Sequence, residues 1–412
     1  MPHSHLIPAE GHPRRLVARR QRLHQQLDHF LDQLAQTGIP IQGQAVEAME
    51  QAVLATWGRE TTTACVAMSS GSLALQAVLE CLHLPAGGQV ITTPYTFAAT
   101  WLACSRTLTV QSDGRLVNGL TVVCADIDPH TYTLDPDAVE AAITEHTVAI
   151  VPVHMHGLMA DMRPLLALAE RYSDLLGHPM YVIEDACQAH GATYTDPVSR
   201  QVFTAGTMGH VGVLSLNAVK NMGGIDSDGG LVLVNQEAVR HQPAIVADLR
   251  AYVNYGRTTA HRYRHPKLGA RARLGELNAR EIGAELRLLD GWNRERQRIA
   301  ERFTQACAHS TFGLRAPCVP AERTHVYFSY VVRAPTLDAK VALEQRMRDA
   351  RIAVADTYPL VWEQEPYRRD WFPWLLGSTA VAERETSLLT HVPLYPELTE
   401  EEVRRIEEVL AS

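Results

Sequence analysis

The 412-residue chain has no apolar run of membrane-spanning length, no CxxC pair, no internal repeat or low-complexity tract, and no excess of positive charge. Each absence excludes something. A spanning helix needs about 20 consecutive apolar residues, so no membrane span is expected. The seven cysteines (65, 81, 104, 124, 187, 307 and 318) are odd in number and read as reduced, mostly buried thiols of a cytoplasmic protein. A net charge of −8 gives nucleic acid nothing to bind and is too mild to mark an acidic interaction tail. Arg14-Arg15 and Arg19-Arg20 are followed by neither an apolar stretch nor a small-residue cleavage site, so they do not read as an export signal.

What is present is 46% hydrophobic and 20% charged, the composition of a soluble globular protein, at a length suited to a large domain plus a smaller one. After a loose first dozen residues, Leu23, Leu27, Phe30, Leu31 and Leu34 share one face at helical spacing. An amphipathic helix with a basic outer face is expected there, within an arm over 1–40. From Thr63 onward, strand-like stretches (65–68, 89–93, 120–125, 147–153, 180–184) alternate with helical ones (73–82, 96–104, 139–143, 163–176), and 231–234 adds a further strand. This rhythm predicts an α/β domain over 41–257 with a mostly parallel mixed sheet flanked by helices. Residues 258–412, with helices over 276–307, 340–351 and 400–410 and a strand over 327–332, form a smaller C-terminal α+β domain. The stretch 111–119 reads as an exposed loop.

Ligands of parallel sheets sit beyond the carboxyl ends of the strands. That rule gathers three segments into one crevice. Ser69-Ser-Gly-Ser72 precedes a helix, where small residues let a phosphate reach backbone N–H groups; alone, it reads equally as a serine helix cap. Asp185 ends the run Tyr181-Val-Ile-Glu-Asp, as either a cap or a carboxylate that keeps a pyridinium nitrogen protonated. Lys220 lies in a glycine-punctuated segment without an acid for five positions on either side. It is an exposed loop lysine or, if buried, a neutral amine able to form an imine. Together, Lys220 and Asp185 point to pyridoxal 5'-phosphate as an electron sink. Gln188 is placed to reach the ring's phenolic oxygen and Ser215 the phosphate. Phe97 would stack on the ring or fill the core, and His190 would lie beside the ring or serve the structure. His154 and His156 share one side of a strand, but no third ligand accompanies them and no metal is expected. Gly206, Gly209 and Gly212 match neither a P-loop nor a dinucleotide fingerprint and read as turns.

In their order along the chain, these segments resemble the DegT/DnrJ/StrS family of PLP-dependent sugar aminotransferases. The likeness runs from about Gly38 through Gly71-Ser-Leu-Ala-Leu, Thr93-Pro-Tyr-Thr-Phe, Glu184-Asp-Ala-Cys-Gln-Ala-His-Gly-Ala, Arg273-Leu-Gly-Glu-Leu-Asn-Ala and Val392-Pro-Leu-Tyr-Pro. It implies the PLP-dependent transferase fold type I and a homodimer with shared active sites. Lys220 would be the imine-forming and proton-moving lysine, Asp185 would bind the ring nitrogen and Gln188 the phenolic oxygen, and Phe97 would stack on the ring. Gly71, Ser72 and Ser215 would hold the phosphate, and Asn254 would reach that of the neighbouring subunit. His156, His190, Arg271 and Tyr358 are the expected substrate-side residues.

The chain departs from the family at Leu214 and Leu216, where phenylalanines are usual, and at His210, His156 and Arg271-Ala-Arg273. These positions are expected near the substrate. The function so implied moves an amino group from glutamate or glutamine to a keto sugar, nucleotide-linked in the family's manner, or to a keto-cyclitol, in antibiotic or polysaccharide biosynthesis. Dehydration or aromatisation on the same fold is an alternative, as is a non-catalytic regulator that binds PLP or a sugar. Family dehydratases carry histidine in place of the lysine, so Lys220 argues against that branch.

Overall fold

The computed structural model describes residues 6–58, 61–110, 116–225, 228–258, 263–364, 375–376 and 378–412. At its centre lies an eight-stranded sheet. In spatial order its strands are β1 (Thr62–Met68), β11 (Gly230–Asn235), β10 (Val211–Ser215), β7 (Tyr181–Asp185), β6 (Thr147–Ile150), β2 (Gly88–Thr92), β5 (Leu120–Cys124) and β13 (Leu375–Leu376). From β10 to β13 every pairing is parallel, whereas β11 runs antiparallel to both β10 and β1. The expected mostly parallel, mixed sheet is present.

Side chains alternate strictly through it, as the period of two requires. On β11, Leu231 and Leu233 pack on one face while Val232 and Val234 pack on the other. Likewise Val182 of β7 opposes Tyr181 and Ile183. One face is covered by α2 (Gln44–Val53), α5 (Pro136–Ala142), α6 (Met162–Leu176) and α9 (Glu276–Leu286). The other is covered by α3 (Gly71–Cys81), α4 (Ala99–Arg106), α7 (Gln236–His241) and α8 (Ile245–Tyr252). Each fully buried valine or leucine between these layers contributes about 1.5–3 kcal/mol, so the sheet is held from both sides.

A second core gathers Phe303, Tyr330, Leu343 and Ile406. They come from α10 (Leu289–Ala308), α11 (Leu337–Asp349), α13 (Glu400–Ala411) and the antiparallel pair β12 (Tyr330–Arg333) and β14 (Leu389–Val392). A short helix, α12 (Ala380–Thr386), precedes β14. Two hairpins decorate the large unit: β3 (Leu108–Val110) with β4 (Leu116–Asn118), and β8 (Thr193–Thr195) with β9 (Val202–Thr204). The expected loop over 111–119 is thus shorter than predicted. Residues 116–118 are a strand paired with 108–110, and 111–115 lie outside the described residues.

The N-terminal helix, α1 (His12–Thr37), exists, but only part of its apolar face is covered (Leu23, Phe30 and Leu34 are half-buried), and two of its arginines turn inward. Arg15 and Arg19 are only 6% and 2% exposed, while Val17, Leu27 and Leu31 are 77%, 40% and 51% exposed. Spacing explains the inward turn: residues 15, 19 and 22 also share a helical face. Glu281 and Glu285 of α9 meet Arg19 and Arg22 there. A buried guanidinium needs such partners, or a set of backbone carbonyls, to offset its lost hydration. Nor are the residues just before the helix loose. Ile7 is fully buried and bridges Ile352, and Gly11 lies against the Tyr395 ring. Residues 1–5 lie outside the described set. Among the described residues, no helix is long and apolar enough to cross a membrane.

Candidate active site

A cavity of about 510 Å³ opens beyond the carboxyl ends of β7 and β10, where the topology places ligands. Lys220, Asp185, Gln188, Gly71, Ser72, Ser215, Phe97 and Tyr358 all line it.

One wall is the start of α3. Ser70 caps that helix, its hydroxyl accepting the Leu73 N–H at 3.2 Å, so the capping role belongs to Ser70 and the first-turn N–H groups of Gly71 and Ser72 are left for an anion. Gly71 has no space for a side chain: a Cβ would stand 2.9 Å from Ser215 Cβ and 3.2 Å from Cys187 Sγ. Glycine therefore lets the helix start and the end of β10 close on one spot.

Opposite stands Asp185, on the face of β7 that looks towards α4. Its Oδ2 accepts the Thr100 hydroxyl at 2.8 Å and its Oδ1 the Cys187 N–H at 3.2 Å. Gln188 is fixed by its carbonyl oxygen, which accepts the His156 N–H at 2.9 Å. His156 makes that bond from left-handed backbone, φ +59°, a conformation that costs a non-glycine residue energy and recurs at functional sites.

Lys220 is 9% exposed, so the loop-lysine alternative fails. Burial lowers the pKa of its amine, while the thiol of Cys187 and the carboxylates of Asp185 and Glu10 pull the other way. The amine sits 4.3 Å above the Phe328 ring. Phe97 is no core residue either: it is 53% exposed and meets Tyr358 edge-on at 6.0 Å. Burial drives the Tyr358 hydroxyl up to about 12, which keeps it a proton donor at neutral pH.

Several expected site residues lie elsewhere. The His156 ring is buried away from the cavity, with its Nε2 3.1 Å from Tyr95 Oη, and burial keeps it neutral. His190 backs Ser215 from behind: its Nε2 donates to the Ser215 carbonyl at 2.6 Å, and burial lowers its pKa to about 3. Arg271 is exposed and pairs with Asn254 across a short antiparallel bridge, and neither lines this cavity.

The departures at Leu214, Leu216 and His210 are likewise not substrate-facing. Both leucines are fully buried in the sheet core, because positions 214 and 216 alternate with Ser215 to the far face. His210 accepts the Val182 N–H at 2.9 Å beside Tyr181 and His241. His154 and His156 do not share a strand. A tight turn over Met155–Gly157 parts them, and His154 binds Glu184 at 2.8 Å. Gly206 and Gly209 do lie in a turn, but Gly212 is inside β10.

Sequence reasoning missed Thr100, Glu184, Phe328, Glu10 and Arg15. Thr100 and Glu184 stand inside motifs already singled out, and the alternation along β7 separates Glu184 from Asp185. Phe328 and Glu10 arrive from distant segments and carry no local signal. Arg15 carried one, its spacing with Arg19 and Arg22.

A pyridoxal phosphate suits this donor set. Anion-binding N–H groups and a serine stand at one end of the cavity, a carboxylate with spare acceptor capacity at another, and a buried primary amine between them. Known proteins agree. Residues 21–411 match the DegT/DnrJ/EryC1/StrS aminotransferase family. The chain is 30% identical to a pleiotropic regulatory protein of Geobacillus stearothermophilus, over 95% of both chains. It is 31% identical to the dTDP-3-amino-3,4,6-trideoxy-alpha-D-glucose transaminase of Streptomyces venezuelae, over 84% of this chain and 81% of the other. Among solved structures, S. venezuelae DesV in complex with a ketimine intermediate superposes with a TM-score of 0.82. That match has 27% identity and covers 99% of this chain and 98% of the other.

Proposed function

The chain belongs to the DegT/DnrJ/EryC1/StrS family of PLP-dependent aminotransferases, and from that premise we propose that it passes an amino group from glutamate or glutamine to a keto sugar carried on a nucleotide. The observation that carries the reading is a buried lysine amine and a strand-end carboxylate facing one cavity. When bound, the cofactor's protonated ring accepts the electron pair left when a proton leaves the substrate carbon.

In this reading Lys220 Nζ, whose proton affinity burial lowers, would bind the cofactor and then take and return that proton. Asp185 keeps the ring nitrogen protonated, because an adjacent carboxylate favours the charged form. Thr100 orients Asp185, and the amide of Gln188, its oxygen already committed, turns its N–H donors to the phenolic oxygen. Gly71, Ser72 and Ser215 take the phosphate, Phe97 lies over the ring, and Tyr358 donates towards the substrate. The sugar assignment draws on relatives named as transaminases of dTDP- and UDP-linked sugars, and we infer antibiotic or polysaccharide biosynthesis as its setting. A keto-cyclitol would suit the same cavity.

Asn254 and Arg271, outside their own cavity, are assigned to that of a second copy, so that the enzyme works as a cytoplasmic homodimer with shared sites. Light scattering of the purified protein tests the dimer, and loss of activity in Asn254→Ala with the dimer retained tests the sharing.

Absorbance decides the main reading. The purified protein should show an imine band that disappears on adding glutamate or glutamine and returns with the right keto sugar. Lys220→Ala should lack both the band and the turnover. A band that survives this substitution would refute the assignment.

A further inference from the structure

We propose that Arg15 is a positioning residue for Lys220: a buried guanidinium from the N-terminal helix that fixes the turn carrying the reactive amine. The inference rests on the reading of Lys220 given above. The turn is tight, with the Lys220 N–H donating to the Asn217 carbonyl at 2.9 Å, so its carbonyls fan out on one side. Arg15 meets them there. Its Nη1 donates to the carbonyls of Lys220 at 2.8 Å and Asn221 at 3.1 Å, and its Nη2 to that of Ala218 at 2.7 Å.

Three features set this apart from ordinary packing. First, all of these hydrogen bonds end on backbone carbonyls of one four-residue turn rather than on an acid, although Arg15 is only 6% exposed. A cation facing a cluster of carbonyl oxygens is a strong, charge-assisted contact. Second, the planar fork is what spans three oxygens at once; a lysine ammonium on a flexible stem lacks that shape. Third, the same helix face grips the turn's far side. The Gly223 N–H donates to Glu285 at 2.9 Å, and Glu285 pairs with Arg19. Asn221, between the two grips, ties its amide to the Val326 carbonyl at 2.9 Å. The backbone on both sides of Lys220 is therefore pinned, and its amine's place among Asp185, Cys187, Glu10 and Tyr358 follows from that pinning.

Near-attack geometry is sensitive to small displacements. Arg15→Lys keeps the charge but loses the fork, so the turnover of the donor half-reaction should fall about tenfold or more while KM stays within about twofold. The pH midpoint of the absorbance band should also move by about half a unit, because the amine's surroundings change. Arg15→Gln, which retains one amide donor, should show the same pattern more strongly. Arg14→Lys, on the same helix but bonded to Glu402 and away from the turn, should leave turnover and midpoint as they are. Melting temperatures recorded in parallel report the fold.

Wild-type turnover and an unmoved midpoint in Arg15→Lys would overturn the proposal. So would a fall in turnover that merely tracks lost folded protein and is equal in Arg14→Lys. A band that persists in Lys220→Ala would instead overturn the reading of the site, a result separable from either.

Discussion

Glu184 and Asp185 are neighbours on one strand, carry the same charge and are both buried, yet they live in different chemical worlds. Glu184 points to the α6 and α9 face of the sheet. Its oxygens accept four hydrogen bonds: Met208 N–H at 2.8 Å, Gly209 N–H at 2.5 Å, Gly206 N–H at 2.9 Å and His154 Nε2 at 2.8 Å. A carboxylate has about four acceptor sites, so nothing is left over. His154 is committed too, since its Nδ1 accepts the Ala160 N–H at 3.1 Å. Asp185, on the cavity side, accepts the Thr100 hydroxyl and the Cys187 N–H, and its remaining capacity faces the cavity. An acid whose capacity the protein has used up is part of the scaffold, whereas an acid left with capacity facing a cavity is there for a ligand.

Substitutions can break that contrast. The largest effect is expected on stability, from Glu184→Gln. The new NH2 group faces N–H donors that the oxygen had accepted, and each buried donor left unsatisfied should cost about 1–3 kcal/mol in urea unfolding. Next comes Asp185→Asn, the near-isosteric change one residue on. It should lower turnover by about 10²–10³-fold while the melting temperature scarcely moves. If the two results came out the other way round, the division of labour would be wrong. Thr100→Val keeps shape but removes the hydroxyl that orients Asp185. A fall in turnover of about tenfold, the worth of one charge-assisted hydrogen bond, is expected with little loss of cofactor affinity.

The smallest effect concerns a second committed acid, Glu402. Its bond to Arg14 and its capping bonds to Thr399 hold its carboxyl at about 2. A carboxyl lowered in the folded state stabilises above its unfolded value near 4.5 and loses that contribution as pH falls towards 2. Unfolding free energy measured at pH 5 and pH 3 should therefore drop more in the wild type than in Arg14→Ala. Activity at neutral pH should change far less than in Thr100→Val.

The same contrast tells how much was legible in advance. Lys220, Asp185, Ser215 and Gly71 were readable because strand ends and helix starts are local patterns, and the topology of parallel sheets gathers them. The alternation along Tyr181-Val-Ile-Glu-Asp already put Glu184 and Asp185 on opposite faces, but not which face held the cavity. Leu214 and Leu216 were expected at the substrate because they adjoin Ser215 in sequence. In a strand, adjacency means opposite faces. The orientation of α1 was misjudged because five apolar residues outvoted three arginines, and the partners that bury those arginines, Glu281 and Glu285, come some 260 residues later. His190, Asn254 and Arg271 show the same limit: the residue type was suggestive, but only the tertiary arrangement decides what it touches.

The grip of α1 on the lysine turn also has a meaning in time. Arg15 and Lys220 are 205 residues apart in the chain, and Arg14 and Glu402 are 388 apart. The N-terminal helix is thus made long before the residues it pairs with, and pairings of such separation carry a large loop-closure cost. Until α9 is made, the turn bearing the reactive amine lacks its full set of restraints, because Glu285 holds its far side. Competence thereby waits on α9: a nascent chain that has not reached it would hold most of the crevice but not a fixed amine within it.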